Sequence, residues 1–326
     1  MGNFLSKAAL TQSAWIPTPT LTEENLPSQA GKVHIVTGGY AGVGEQLVQI
    51  LYGKGAKVYI AGRSESKANA TIARIKSAHK DTKGAGEVVF LKLDLSDLAS
   101  IKASAEEFMA KESRLDVLTN NAGVMFPPPA SKGAQGHDLQ FATNCLGPHL
   151  FTKLLHPVLK KTAASAPPNS VRVTFASSIA IQVLCPTGGV QFDENGKLKT
   201  LGSQLDYGQT KVGNVLLSIK TQELLKDAGV VSTNFNPGNL KTELQRHSLG
   251  AAVWTRLLYP AKYGAYTELW CGWSDQVTAQ DSPKFVMPWG RDGSDFIRAD
   301  IKQAIDKEDL VNRFWNYCED ETALYA

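Results

Sequence analysis

The chain has 326 residues, enough for one large domain, and its hydrophobic content of 43% is that of a protein with a sizeable core. The net charge of +3 is well mixed along the sequence, which argues against a nucleic-acid-binding face. Four scattered cysteines and six histidines form no Cys-x-x-Cys pair and no metal-ligand spacing. We therefore expect no disulfide framework, no metal site and a reducing, cytoplasmic location.

Residues 1–30 are predicted to form an N-terminal extension. They contain no signal peptide, and because the sequence has no run of 18 apolar residues, no transmembrane segment is expected. Gly2 followed by Ser6 fits the N-myristoylation pattern, and one acyl chain would give weak membrane association. The alternative is a flexible lead interrupted by Pro17, Pro19 and Pro27.

From Gly31 onward, apolar strand-like runs alternate with segments of helical length. Strands are predicted at 33–37, 58–61, 88–93, 117–119, 171–175, 230–235 and 284–287, and helices at 43–52, 64–79, 98–111, 137–161 and 207–226. This alternation predicts a single α/β domain over residues 31–326, with a doubly wound parallel sheet of the Rossmann type and helices on both faces. Ligands of such sheets bind beyond the carboxyl ends of the strands.

The first strand–helix junction is rich in glycine. Glycines at 38, 42 and 44 permit a tight turn and let backbone amides approach a pyrophosphate at the start of the helix. A strand before the turn and a helix after it make the pattern typical of a dinucleotide site. The predicted contacts of this turn are Thr37, Gly38, Gly42, Val43 and Gly44.

The end of the second predicted strand selects the cofactor. An NAD site usually has a carboxylate there, whereas this chain has Arg63 and Ser64, which can bind a 2′-phosphate. We therefore expect NADP(H) to be favoured over NAD(H). Asp94 and Leu95 end the third strand, and the Asp94 carboxylate either hydrogen-bonds the adenine or caps the turn near Ser96.

Four further motifs follow in order. They are the Asn-Asn-Ala-Gly segment at Asn120–Gly123, the serine pair at 177–178, the Tyr207-x-x-x-Lys211 pair and the segment Pro237–Thr242. Residues at i and i+4 share a helix face, so Tyr207 and Lys211 can meet around one ligand. With the glycine turn, these motifs resemble the short-chain dehydrogenase/reductase family over residues 31–287, and most of all its retinol-dehydrogenase-like branch and fungal relatives, some of which tailor secondary metabolites.

The resemblance implies a catalytic tetrad of Asn144, Ser178, Tyr207 and Lys211. Tyr207 would exchange a proton with the substrate oxygen, Ser178 would hydrogen-bond that oxygen, and Lys211 would lower the Tyr207 pKa and hold the nicotinamide ribose. Asn144 would anchor a water from the middle of the long helix, or else be a satisfied buried amide. Ser177 would be structural, since alternate strand residues face opposite sides. The remaining implied cofactor contacts are Asn121, Ala122, Gly123, Pro237, Gly238, Leu240 and Thr242.

Two segments are expected to wall the substrate pocket, residues 179–206 and a helical lid at about 243–260 containing Trp254. Trp254 and its neighbours would otherwise be core or the contact of a homodimer. The apolar lid predicts a bulky hydrophobic small-molecule substrate. The expected activity is therefore NADP(H)-dependent carbonyl–alcohol interconversion. The alternatives are non-redox cyclisation or isomerisation on the same fold, and cofactor binding without turnover.

Overall fold

The computed structural model describes residues 16–242, 258–307 and 309–326. The Gly2 pattern lies outside these residues, as do residues 243–257 of the predicted lid, including Trp254. Tyr259–Pro260, at the end of the predicted lid, form a short strand, β8, and not a helix. This strand pairs in parallel with Leu240–Lys241, which we label β7.

The main sheet has eight strands in the order β10-β9-β6-β5-β4-β1-β2-β3, and only β10 runs antiparallel to its neighbour. The strands are β1 Val33–Thr37, β2 Lys57–Gly62, β3 Glu87–Lys92, β4 Val117–Asn120, β5 Val171–Ala176, β6 Val230–Phe235, β9 Phe285–Met287 and β10 Arg291–Asp292. From the adjacent pair β1 and β4, strands β2 and β3 follow towards one edge of the sheet, and strands β5 and β6 follow towards the other. In sheets of this type the ligand-binding crevice lies at the carboxyl ends of the two strands where the order reverses, here β1 and β4.

Helices cover both faces, which confirms the predicted α/β fold. They are α1 Gly42–Gly53, α2 Glu65–Ala78, α3 Leu98–Lys111, α4 Gly147–Ala163, α5 Ser203–Leu225, α6 Ala261–Trp273, α7 Ala299–Lys307 and α8 Leu310–Thr322. Because strand side chains alternate, Ile35 packs into the layer that holds α3, α4 and α5, while Val36 packs into the layer that holds α1, α2 and α6.

The helix predicted over residues 137–161 is interrupted. A short turn, Leu139–Phe141, leads into a π-helical turn, Ala142–Leu146, and α4 begins only at Gly147. Asn144 therefore lies in the π-helical turn and not in the middle of a regular helix. Gly147 packs so closely against the backbone of Leu95 that a Cβ atom would overlap it. This tertiary contact fixes the position of the turn, and such single turns frequently mark functional sites.

Residues 16–30 pack against α6 and are not the flexible lead that the prolines suggested. Leu26 is buried, Glu23 accepts a hydrogen bond from the Tyr266 hydroxyl at 2.9 Å, and Trp273 Nε1 donates to Gln29 Oε1 at 3.0 Å. These contacts tie the extension to the layer of α1 and α6.

The C-terminal helices α7 and α8 were not predicted from the sequence. Phe314 of α8 is fully buried against α5, where a Cβ atom on Gly213 would lie 2.6 Å from its Cζ atom. No helix among residues 16–242, 258–307 and 309–326 is long and apolar enough to cross a membrane.

Candidate active site

Tyr207 and Lys211 lie on one face of α5, at the carboxyl end of β5. Both are 4% exposed, and Lys211 Nζ lies 5.5 Å from the centroid of the Tyr207 ring. The Lys211 ammonium donates a hydrogen bond to the backbone carbonyl oxygen of Ala176, the last residue of β5, at 2.9 Å. The same carbonyl oxygen accepts a second bond from Asn214 Nδ2 at 2.8 Å. The lysine is therefore held in place by the strand and does not move freely on its long side chain.

Burial dominates the protonation of this pair. It raises the pKa of Tyr207 to about 12, opposed by a hydrogen bond to Ser178 that lowers it. Burial also lowers the pKa of Lys211 to about 8. Burial therefore sets the direction of the Tyr207 pKa shift. A lowering of this pKa by Lys211 stays a prediction. Tyr207 is held as the neutral phenol, the form that can give up a proton.

The two adjacent serines have different surroundings. The Ser178 side chain lies beside the Tyr207 hydroxyl and lowers its pKa, and the Ser178 Oγ atom accepts a hydrogen bond from the backbone N–H of Ala180 at 3.2 Å. The buried Ser177 hydroxyl instead donates to the backbone carbonyl oxygen of Lys211 at 2.8 Å. Ser178 thus faces the Tyr207 phenol, and Ser177 joins strand β5 to helix α5.

The Asn144 amide is hydrogen-bonded within the protein through both its oxygen and its nitrogen. Its Oδ1 accepts from Val124 N at 2.8 Å, and its Nδ2 donates to Val124 O at 3.0 Å and to the Thr210 hydroxyl at 3.1 Å. Thr210 lies between Tyr207 and Lys211 in sequence and donates to the Tyr207 carbonyl oxygen at 2.8 Å. The Asn144 side chain therefore joins the loop after β4 to helix α5. This is the satisfied-amide alternative, and the water-anchoring role stays a prediction.

The glycine turn and the Asn-Asn-Ala-Gly segment meet at the crevice. Asn121 Nδ2 donates to Thr37 O at 2.8 Å, and Ala122 N donates to Thr37 Oγ1 at 2.9 Å. A Cβ atom on Gly44 would lie 2.6 Å from Asn121 Nδ2. Gly38 and Gly42 have φ angles of +67° and +57°, which glycine adopts without strain. The turn needs its glycines both for conformation and for close approach to the neighbouring segment.

The adenosine end is basic. Arg63 follows β2 and is exposed, and Ser64 is the N-cap of α2, with its hydroxyl accepting from Lys67 N at 3.4 Å. A cavity of about 260 Å³ lies between the glycine turn and α2, and its lining includes Tyr40, Lys67 and Arg74. Arg74 is paired with Glu45 at 2.8 Å, whereas Lys67 has no carboxylate partner among the described residues. The sequence did not single out Tyr40 or Lys67. Tyr40 occupies a variable position of the glycine motif, and Lys67 lies one helical turn after Arg63.

Asp94 caps its own turn. Its Oδ1 accepts from the backbone N–H of Ser96 at 2.9 Å and from the Ser96 hydroxyl at 2.6 Å. The Asp94 Oδ1 atom therefore caps the turn at Ser96, the second of the two roles predicted for this carboxylate. The neighbouring Leu95 is buried against Gly147. Adenine contacts of Asp94 and Leu95 stay predictions.

The segment Pro237–Thr242 closes the other end of the crevice. Gly238 has a φ angle of +100°, and a Cβ atom there would lie 2.9 Å from the Trp289 ring. Leu240 packs against Gly264 of α6 beside Val43 of the glycine turn. Thr242 lies near Gly42, 3.6 Å from the position a Cβ atom would take. Helix α6 thus packs both against Leu240, at the predicted nicotinamide end, and against Val43, at the predicted pyrophosphate turn.

These residues fit a nicotinamide dinucleotide. The positive-φ glycines and the space that only glycine leaves at Gly44 match a pyrophosphate cradle, and a cation and a hydroxyl follow β2 where a 2′-phosphate would lie. Tyr207, Lys211 and Ser178 stand at the opposite end of the same crevice.

Comparison with known proteins defines the family. A family model described as short chain dehydrogenase matches residues 32–183. A short-chain dehydrogenase/reductase from Phomopsis amygdali is 43% identical, covering 100% of this chain and 99% of the relative. The chain belongs to the short-chain dehydrogenase/reductase family, as its motifs predicted, and is an oxidoreductase of that family.

Solved structures agree in fold. An uncharacterized protein from Mycobacterium paratuberculosis superposes with a TM-score of 0.66 at 26% identity, covering 93% of this chain and 97% of that one. RhlG of Pseudomonas aeruginosa, in an active-site complex with NADP, superposes with a TM-score of 0.53 at 25% identity, covering 68% of this chain and 77% of that one. The parallel sheet and its crevice are therefore common to proteins of this fold.

Proposed function

We propose that this protein is an NADP(H)-dependent oxidoreductase that interconverts a carbonyl and an alcohol on a hydrophobic small molecule, with Tyr207 as general acid and base. The observation that carries the proposal is the pair of buried side chains Tyr207 and Lys211 on one face of α5, with Lys211 Nζ 5.5 Å from the Tyr207 ring centroid, at one end of the glycine-lined crevice and next to Ser178. A proton donor, a second hydrogen-bond donor and a cation meet there.

The chemistry assigns a role to each side chain. When bound, NADPH supplies hydride to the carbonyl carbon, and NADP⁺ accepts it in the reverse direction. Tyr207 gives its phenolic proton to the carbonyl oxygen, and Ser178 donates a hydrogen bond to the same atom as its negative charge develops. Lys211, held by the Ala176 carbonyl oxygen, stabilises the phenolate that Tyr207 leaves behind.

The preference for NADP(H) is supported by the charge at the end of β2. Arg63 stands where an NAD site has a carboxylate, and Lys67 lines the adjoining cavity. RhlG, a relative in fold, is known in complex with NADP.

A hydrophobic substrate is supported by an aromatic side chain next to Tyr207. Phe126 lies edge-on to Tyr207, with ring centroids 5.5 Å apart, and is partly exposed. An accessible apolar side chain beside a polar reaction centre suits a substrate with an apolar body.

Tyr207→Phe tests the proposal. We expect ketone reduction by NADPH to fall by more than about 100-fold, with the NADPH dissociation constant changed less than about threefold, because the hydroxyl acts in the transition state. Tyr266→Phe, which removes a hydroxyl from α6 on the other face of the sheet, is the matched control and should keep its activity. A Tyr207→Phe variant that reduces ketones at the wild-type rate would disprove the assignment.

A further inference from the structure

Phe126 has an unusual backbone conformation beside the catalytic tyrosine. Its φ angle is +50°, in the left-handed region that residues with a Cβ atom rarely adopt. Such conformations persist where surrounding contacts hold them, and they cluster at ligand sites. The contacts that hold Phe126 are therefore informative.

One buried amide fixes Phe126 relative to Tyr207. Gln140, 1% exposed, accepts a hydrogen bond from the backbone N–H of Phe126 at 3.1 Å through its Oε1. Its Nε2 donates to the backbone carbonyl oxygen of Ser203 at 3.0 Å, at the start of α5. Because Tyr207 lies one turn further along α5, Gln140 links the loop of Phe126 directly to the helix of the catalytic tyrosine. Phe126 is held at a set distance from the reactive phenol.

Phe126 is more accessible than the tyrosine it contacts. Its ring lies edge-on to Tyr207, with an interplanar angle of 71°, and the residue is partly exposed while Tyr207 is buried. A molecule whose oxygen lies at the Tyr207 hydroxyl can therefore place its adjoining group next to the Phe126 ring.

We propose that Phe126 is a specificity-determining residue that selects carbonyl compounds carrying an aromatic or conjugated ring next to the reacting carbon. This inference rests on the proposed function and names its substrate class. Aromatic rings prefer edge-to-face or offset contact with one another, beyond the gain from burial alone. A saturated ring of equal size gains the burial but not this contact.

The test compares acetophenone with cyclohexyl methyl ketone, which differ in ring unsaturation, in the NADPH-loaded protein. The phenyl-to-cyclohexyl ratio of kcat/KM is measured for wild type and for Phe126→Leu, since comparison between variants cancels the intrinsic reactivity of the two ketones. We expect Phe126→Leu to lower this ratio about two- to tenfold. Phe126→Tyr keeps an aromatic ring and should retain the wild-type ratio. The NADPH affinity and melting temperature of each variant report whether it is folded.

Phe90→Leu is the matched control. Phe90 is another partly buried phenylalanine, on the edge strand β3, where it packs in the layer of α1 and α2. The inference predicts an unchanged phenyl-to-cyclohexyl ratio for this variant. A ratio that is the same in Phe126→Leu as in wild type would overturn the inference, and so would an equal loss in Phe90→Leu.

A second measurement separates the inference from the proposed function. Binding of 1-phenylethanol and 1-cyclohexylethanol to the NADPH-loaded protein is followed by calorimetry, where no reaction occurs. Tighter binding of the phenyl alcohol that is lost in Phe126→Leu supports the inference even if neither ketone is reduced, and in that case only the proposed activity fails. Equal binding of the two alcohols, or no binding of either by wild type, contradicts the role of Phe126.

Discussion

The Ser177 hydroxyl donates to the backbone carbonyl oxygen of Lys211 at 2.8 Å, while the adjacent Ser178 faces Tyr207. Ser177 therefore joins strand β5 to helix α5, whereas Ser178 lies beside the Tyr207 phenol. The two adjacent serines make a matched pair for substitution. One can be removed to probe the reaction and the other to probe the scaffold.

We expect Ser178→Ala to lower kcat by about 100- to 1,000-fold, because one hydrogen bond to the developing oxyanion is lost. Its unfolding free energy should change little, since Ser178 is only partly buried. Ser177→Ala should instead cost about 1–2 kcal/mol of stability and leave most of the activity, because it removes a buried hydrogen bond that touches no substrate. Urea unfolding and steady-state kinetics on both variants measure the two effects. The reverse pattern would exchange the roles of the serines.

Lys211 should make the stability of the cofactor-free protein depend on pH. Its pKa in the folded state, about 8, is below the usual 10.5, so the unfolded chain holds the proton more tightly. Below pH 8 the buried Lys211 ammonium therefore lowers the free energy of unfolding by its full amount, and this loss disappears as the pH rises to 10.5. Relative to Lys211→Met, the wild type should gain roughly 3 kcal/mol of unfolding free energy over this range. Parallel pH profiles for the two proteins would show that Lys211 titrates normally.

The basic end of the crevice should set cofactor preference. Arg63→Ala and Lys67→Ala should each weaken NADPH binding about tenfold or more and leave NADH binding unchanged, since only NADPH carries the 2′-phosphate. Lys76→Ala, near the end of α2, is the control for general charge and should alter neither. The cofactor titration is followed by nicotinamide fluorescence. Equal losses for both cofactors would place the 2′-phosphate elsewhere.

Glu268 of α6 is fully buried, and neither of its carboxylate oxygens has a hydrogen-bond partner among the described residues. Burial raises its pKa well above the usual value of 4.5. The contribution of Glu268 to the free energy of unfolding is therefore most favourable below pH 4.5. It decreases as the pH rises, because the unfolded chain releases the proton first. Compared with Glu268→Gln, the wild type should lose unfolding free energy as the pH rises above 4.5, at up to about 1.4 kcal/mol per pH unit while the folded carboxyl remains protonated.

The control for Glu268 is Glu107→Gln, a half-exposed glutamate paired with Lys111 one turn on. This variant should track the wild type across the same pH range, because an exposed pair contributes little. Chemical unfolding at each pH gives the free energies. If Glu268→Gln also tracked the wild type, the carboxyl would be ionised in the folded protein.

The sequence predicted well those parts whose pattern is local. Strand β6 and helix α3 have the predicted bounds, and the glycine turn and the Tyr207–Lys211 spacing brought their residues to one crevice. Strand β6 is a short run that opens with the β-branched pair Val230 and Val231, and helix α3 buries Ile101, Ala105 and Phe108 at helical spacing.

The features that were missed depend on tertiary contacts. The π-helical turn at Asn144 is fixed by the packing of Gly147 on Leu95, far away in the chain. Helix α6 is buried from Gly264 to Gly272, so it shows no polar face from which its period could be read. The pKa of Tyr207 follows burial, which spacing alone does not report. Phe126 and Lys67 lie beyond the motifs and are placed only by the fold.

Gly264 has a consequence for any attempt to rebuild this protein. Its missing side chain leaves room on α6 for both the Leu240 and the Val43 side chains, which come from the two parts of the crevice predicted to hold the nicotinamide and the pyrophosphate. A chimera that imports α6 from a relative should therefore keep glycine at this position. A larger residue would displace one or both of these side chains, and we expect it to weaken the binding of a dinucleotide that spans both parts.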